Sequence, residues 1–344
     1  MIRKHVRNHF LVVIGLLAWL GAFQPANAAD SQKKSGRDSA GGAALLLYGE
    51  QCAREIGPIP AFDCNQGTVV PITVNGATPA QYTQGMTCDR PAMLPYGSNT
   101  FGQCTPYSKI VDLSHDKIQI SAFCRREFLR DQNSPLFDEV DIVLHSNANG
   151  KTCWFHAENP PGSSAGFDAS RVPSPTEKAP PAGKVAAKDF WWAPAATASK
   201  NCGGCHDADP FMFSPWLGQV WHKVPTDPLG KYSHVGLAFK NWHSSAINTP
   251  NNTCTGCHRI GNQASCTDNI IASAAGAVHI AGGNALANSY PLSHWMPADN
   301  VESRAFWQTV HGQSVKDLLT CCGDPTNKIC TITPITPVVG AKRH

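Results

Sequence analysis

Six residues of this 344-residue chain are ordered so that they could hold a cofactor covalently. They occur as one five-residue pattern written twice, Cys202-Gly-Gly-Cys205-His206 and Cys254-Thr-Gly-Cys257-His258. Cys-x-x-Cys-His is the attachment spacing of a c-type haem. Two thiols on one helical turn reach the two vinyl groups of the porphyrin, and the imidazole that follows lies under the iron. Cys and His each account for 14 residues, so a random order would give roughly 0.02 copies of the pattern in a chain this long. Two copies therefore point to one repeated chemistry.

Three other uses of the paired cysteines fit less well. A structural zinc site would take all four thiols, but Cys202 and Cys254 are 52 positions apart, far beyond ribbon spacing. A thioredoxin-like centre needs a βαβ setting and has no use for a histidine after the second cysteine. Ordinary disulfides leave His206 and His258 unexplained.

Both signatures resemble those of c-type cytochromes. Over roughly residues 190–320, the resemblance implies two covalently attached haem c groups, with thioethers from Cys202, Cys205, Cys254 and Cys257. It also implies proximal iron ligation by His206 and His258. Ser293-His294-Trp295-Met296-Pro297, ahead of a helix-like stretch, is similar to the distal half of a small class I cytochrome. There a Met beside a Pro supplies the sixth ligand, which implies Met296 for the second haem. The 52 positions between the signatures are too few for two such domains in tandem, so both haems are expected in one loop-rich unit.

For the first haem, His243 (in Asn241-Trp242-His243) and His234 compete as sixth ligand, with His222, His279, His294, His311 and Met212 as further candidates. Two six-coordinate irons imply transfer of single electrons between redox protein partners. One open iron would instead imply a peroxidase-like dihaem oxidoreductase. A third alternative is a partner-binding protein with structural haems. No Ser/His/Asp set or carboxylate pair assigns a catalytic residue, and Asp299 and Glu302 are more simply helix-cap residues.

The rest of the chain is consistent with work outside the cytoplasm. Residues 1–29 read as a signal peptide, with basic Arg3, Lys4 and Arg7, an apolar run from Phe10 to Leu20, and Ala26-Asn27-Ala28 at the cleavage position. The run is too short to span a bilayer, and no later stretch is long enough. A periplasmic or secreted protein without stable membrane insertion after cleavage is expected. Removing the three basic signal residues leaves 28 − 3 = 25 Lys plus Arg against 25 Asp plus Glu. That neutral balance argues against nucleic acid as a partner. Ten cysteines lie outside the signatures; they allow up to five disulfides, which such a compartment permits.

These motifs sit in a chain whose texture changes along its length, and an α+β fold is expected. Residues 30–43 are polar and Gly/Ser-rich, and read as a disordered leader. Residues 44–156 read as a β-rich, disulfide-stapled domain, opened by a short helix near Ala43 to Glu55. Strands are predicted at Thr68 to Val74, Lys109 to Leu113, Lys117 to Phe123, Asp138 to Leu144 and Lys151 to Phe155. Asn-Ala-Asn-Gly at 147–150 marks a hairpin. Local pairings of Cys52 with Cys64, Cys88 with Cys104 and Cys124 with Cys153 are expected.

Residues 157–187 are Pro/Gly-rich and read as a linker or surface arm. Residues 188–344 then form the mainly helical, loop-rich dihaem domain. Most of the nine tryptophans fall there, suited to covering flat apolar plates. A last helix is predicted over Val301 to Thr320, burying Phe306, Val310, Val315, Leu318 and Leu319.

Overall fold

The computed structural model describes residues 35–89, 104–160, 163–211, 216–221, 230–267 and 304–335. The signal segment, Met212, His222, His279, His294, Met296, Asp299 and Glu302 lie outside them. The fold is α+β. Its centre is a six-stranded sheet in the order β1-β2-β3-β5-β6-β8. These strands are β1 (Thr68–Val69), β2 (Lys109–Asp112), β3 (Ile118–Arg125), β5 (Glu139–Ser146), β6 (Lys151–Glu158) and β8 (Ser233–His234). Neighbours run antiparallel except β6 and β8, which are parallel. The 147–150 turn joins β5 to β6 as predicted, with Gly150 supplying the positive φ of 77°. A short pair, β4 (Leu136–Phe137) with β7 (Phe167–Asp168), lies outside this sheet.

Period-two alternation divides the sheet into two faces. One carries Ile120, Ala122, Cys124, Val140, Ile142, Leu144, Cys153, Phe155 and Ala157, all buried. Helix α1 (Ser39–Glu55) contributes Leu45, Tyr48 and Cys52 to the same core. The other face carries Phe123, Asp141, His145, Trp154 and His156, cross-strand neighbours by register. It is covered as well, because the segment bearing the first signature lies across it.

Three expectations need correction. The chain is helical from Ser39, where the Asp38 carboxylate accepts the Gly41 N–H at 2.7 Å, so the disordered leader does not extend to residue 43. Cys52 bonds to Cys153 and Cys64 to Cys124, whereas Cys88 and Cys104 pair as predicted. Cys124 on β3 and Cys153 on β6 have β5 between them, about 9–10 Å of sheet, which is too far for a disulfide. The sheet therefore crosslinks, through one face, to helix α1 at Cys52 and to the turn at Cys64. Cys266–Cys322 and Cys321–Cys330 complete five bridges.

The third correction concerns residues 157–187, which are packed where a linker is expected. Ala169 and Val172 are fully buried, and Val172 and Phe62 exchange backbone hydrogen bonds. Trp191 donates from Nε1 to the Pro173 carbonyl. The main core also takes Tyr232, Val235 and Phe239 from beyond residue 187, and β8 joins the sheet from the same region.

After the arm come α2 (Ala187–Phe190), α3 (Pro194–Ser199), α4 (Cys202–Cys205) and α5 (Ala264–Thr267), each no more than two turns. Helix α6 (Arg304–Gly323) is long, and β9 (Ser245–Asn248) pairs with β10 (Thr331–Pro334). Among the described residues, no helix is long and apolar enough to cross a membrane. Helix α6 buries Trp307, Ser314, Val315, Leu318 and Cys321, while Phe306 and Val310 are exposed. The predicted stripe is thus met at Val315 and Leu318, with Leu319 packed on the same cluster, whereas in the first turns Trp307 faces inward in place of Phe306 and Val310.

Candidate functional site

The first signature starts at a deliberate break in the helix. Helix α3 ends at Ser199 with Lys200 as its C-cap, Asn201 takes a left-handed conformation with φ of 57°, and α4 follows as a single turn. The His206 N–H donates to the Cys202 carbonyl at 2.8 Å. The second signature makes the same turn, with the His258 N–H donating to the Cys254 carbonyl at 3.0 Å. There Asn252 acts as the cap, its Oδ1 accepting the N–H groups of Cys254 and Thr255. The five disulfides use the ten other cysteines, so all four signature cysteines lie outside the bridges.

The sheet forms one wall of the first site. Trp192 packs on His156, the His206 ring on Trp154 at 4.8 Å between centroids, Phe211 on His145 and Trp216 on Phe123. Four side chains in sequence order thus lie on one sheet face. His206 engages the Pro210 carbonyl through Nδ1 at 2.9 Å, and Tyr232 donates to the His206 carbonyl. Burial pushes the His206 ring down to about 4, so it is neutral at pH 7. With Nδ1–H donating, the Nε2 lone pair is the one available to a metal.

His234 and His243 lie nearby in different settings. His234 Nδ1 accepts from Trp154 Nε1 at 3.1 Å, and its Nε2 faces Ser244 Oγ at 3.4 Å. In that arrangement Nε2 carries the proton, and neither nitrogen offers a lone pair to an iron. Burial pushes this ring down to about 4, helped by the fields of His206 and His243. His243 is exposed, and its carbonyl accepts from Gln263.

The second site is more open. Cys257 is exposed, and among the described residues nothing lies within 4 Å of a Cβ placed on Gly256. Helix α6 is fastened beside it: Ser314 Oγ accepts from the Thr253 N–H, and Thr253 Oγ1 meets His311 Nδ1 at 2.8 Å. Burial lowers the His258 pKa, as for His206.

The residues just after each signature join the two sites. Asp209 pairs with Arg259, whose Nε lies 2.9 Å from it. Asp207, fully buried, accepts the Gln263 N–H at 2.7 Å and the Ser265 hydroxyl. Burial raises its pKa to about 6. Asp207, Asp209 and Arg259 were not singled out by sequence reasoning. Their signal is opposite charge soon after each signature, Asp209 three residues after His206 and Arg259 one after His258.

Beside Cys202 the sheet also carries a charged network. His156 Nδ1 lies 2.7 Å from Asp141 and its Nε2 lies 3.2 Å from Glu158. Arg125 pairs with Glu139 at 2.9 Å, and Lys200 with Glu158. Ligand atoms of Glu139, Asp141 and His156 come within 4.8 Å of one another. A metal ion has little call to enter, since Arg125 already supplies the cation and both nitrogens of His156 are engaged. In sequence, the alternation Glu139/Asp141 and His156/Glu158 looks like a solvent face, which hid this network.

A scan of protein families and searches of curated proteins and solved structures found no match to this chain.

Proposed function

We propose that the protein is an exported dihaem c-type cytochrome that moves single electrons between redox proteins outside the cytoplasm. The observation carrying this reading is the repeated turn, which brings two thiols and a following imidazole into the same backbone arrangement at both signatures. The donor set suits the group, since His206 is neutral and anchored through Nδ1 to the Pro210 carbonyl. In this reading Cys202 and Cys205 hold one haem and Cys254 and Cys257 the other, with His206 and His258 as proximal ligands.

A bound haem supplies reversible one-electron chemistry at its iron. The chain's own part is to position, insulate and present it. Trp154, Trp242 and the sheet enclose the first site. The exposed Cys257 gives the second site the face from which a partner exchanges electrons. The Asp209–Arg259 and Asp207–Ser265 contacts fix the spacing between sites, which favours exchange from one to the other. Five disulfides suit an oxidising compartment, in keeping with export. Met296 is the proposed sixth ligand of the second haem.

The test is expression in a host that attaches c-type haem. Haem that survives denaturing electrophoresis at two per chain, falling to one in Cys202→Ala/Cys205→Ala, is the expected result. A colourless, fully folded protein would end the reading. Carbon monoxide added to the reduced protein separates the alternatives, since ready binding would mean an open iron and favour an oxidoreductase.

A further inference from the structure

The network around His156 has no role in attaching or ligating haem, yet it places five charged groups on a covered sheet face, with Lys200 against them. Burying charge is costly unless every member is paired. Arg125 on β3, Glu139 and Asp141 on β5, His156 and Glu158 on β6, and Lys200 at the end of α3 form it. Glu127 contributes its field from the end of β3, Arg37 donates to the Glu158 carbonyl, and Trp192 covers His156 edge-on.

We propose that the Glu139–Asp141–His156 network is a proton-binding site coupled to the redox state of the group joined at Cys202 and Cys205. This rests on the haem reading above.

Position is the first argument. Trp154 and His156 are two apart on β6 and so share a face, about 7 Å along the strand from each other. Trp154 touches the His206 ring. The network is therefore within roughly 10 Å of the proposed iron ligand. At that range, and an effective dielectric near 20, one unit charge changes a proton affinity by more than about tenfold. Their proximity also shows in the thiol of Cys202, pushed up to about 12 by burial and then by the fields of Asp141 and Glu139.

Composition is the second argument. Burial raises the Glu139 pKa, and the neighbouring Asp141 carboxylate adds to the rise against the pull of Arg125. Burial disfavours a charged His156, but its bonds to Asp141 and Glu158 hold it up at about 9. The network therefore keeps a dissociable proton at neutral pH.

The sign follows from charge. Oxidation by a one-electron acceptor leaves one more positive charge beside Cys202, which favours release of one proton from the network to water. The electron goes to the acceptor and the proton to solvent, so the site's net charge is unchanged. Reduction takes both back. The midpoint potential of that couple must then fall as pH rises between the network's proton affinities in the two states.

Spectroelectrochemical titration of the full-length holoprotein between about pH 6 and about pH 10 tests this. One of two couples should fall with pH, approaching a tenfold change in its ratio per pH unit, about 59 mV for one electron. Glu139→Gln and His156→Gln should flatten it. Should neither variant fold, oxidising the reduced wild type with ferricyanide in dilute indicator dye must release a proton. Flat couples, a slope unchanged in both variants, or no proton release overturn the proposal while leaving the haem reading intact. Absence of covalent haem, recorded before titration, overturns both.

Discussion

At the scale of single residues, the two signatures differ in what their middle positions can tolerate. A Cβ on Gly203 would lie 2.6 Å from the Trp242 ring, whereas among the described residues nothing lies within 4 Å of one on Gly256. Gly203 is therefore fixed by packing as well as by the turn, and Trp242 is what fixes it. Gly203→Ala should destabilise the protein by about 1–3 kcal/mol, the usual range for forcing an extra carbon into a filled core. Gly256→Ala should have much less effect. In a Trp242→Ala background the cost of Gly203→Ala should largely disappear, and a double-mutant cycle by denaturant unfolding measures that coupling. An unchanged cost in that background would mean that something other than Trp242 restricts the position.

At the scale of elements, the disulfides set how much each crosslink contributes. Cys52–Cys153 closes a separation of 101 residues and Cys321–Cys330 one of 9. Loop-closure entropy gives about 5 kcal/mol for the first and about 2.5 kcal/mol for the second. Replacing each pair by alanines should lower stability with a difference of roughly 2 kcal/mol, read from denaturant midpoints at constant m-value. Equal losses would count against the entropic account. The same elements show what the sequence could convey. Four of the five predicted strands and the 147–150 hairpin were legible, because alternation at Ile118/Ile120 and Val140/Ile142 is a local property, as is the turn chemistry of Asn149-Gly150; of Thr68 to Val74 only Thr68–Val69 is a strand. The pairings of Cys52 and Cys64 were not, because they depend on which strand lies beside which. Helix α6 was legible as a helix and in its inner face at Val315 and Leu318, but not in its first turns, where Trp307 rather than Phe306 or Val310 turns inward. At the site, the signatures themselves were legible, whereas the wall of Trp154, His156 and Asp141 was hidden in what looked like a solvent-facing alternation.

At the scale of the molecule, the sheet and the signature-bearing part share one core. Tyr48 of α1 packs against Phe155 of β6 and Phe239, which lies between the signatures, at 5.2 and 5.3 Å. Its hydroxyl accepts the Trp154 N–H, and the next face of that tryptophan meets His206. A chain of contacts thus runs from the first helix to the first signature without crossing a linker. Two separable domains would unfold independently, but an apolar core that crosses the boundary should make them one cooperative unit. The whole protein is therefore expected to change tryptophan fluorescence and far-UV circular dichroism in coincident thermal transitions. A fragment covering residues 188–344 carries both signatures but lacks Leu45, Tyr48, Trp154 and Phe155. Expressed alone under the same conditions as the full chain, it should show no cooperative transition and should be cut rapidly by protease. If the fragment instead unfolds cooperatively at the midpoint of the full chain, the sheet is dispensable to the signature-bearing part, and its role as the wall behind His206 would have to be abandoned.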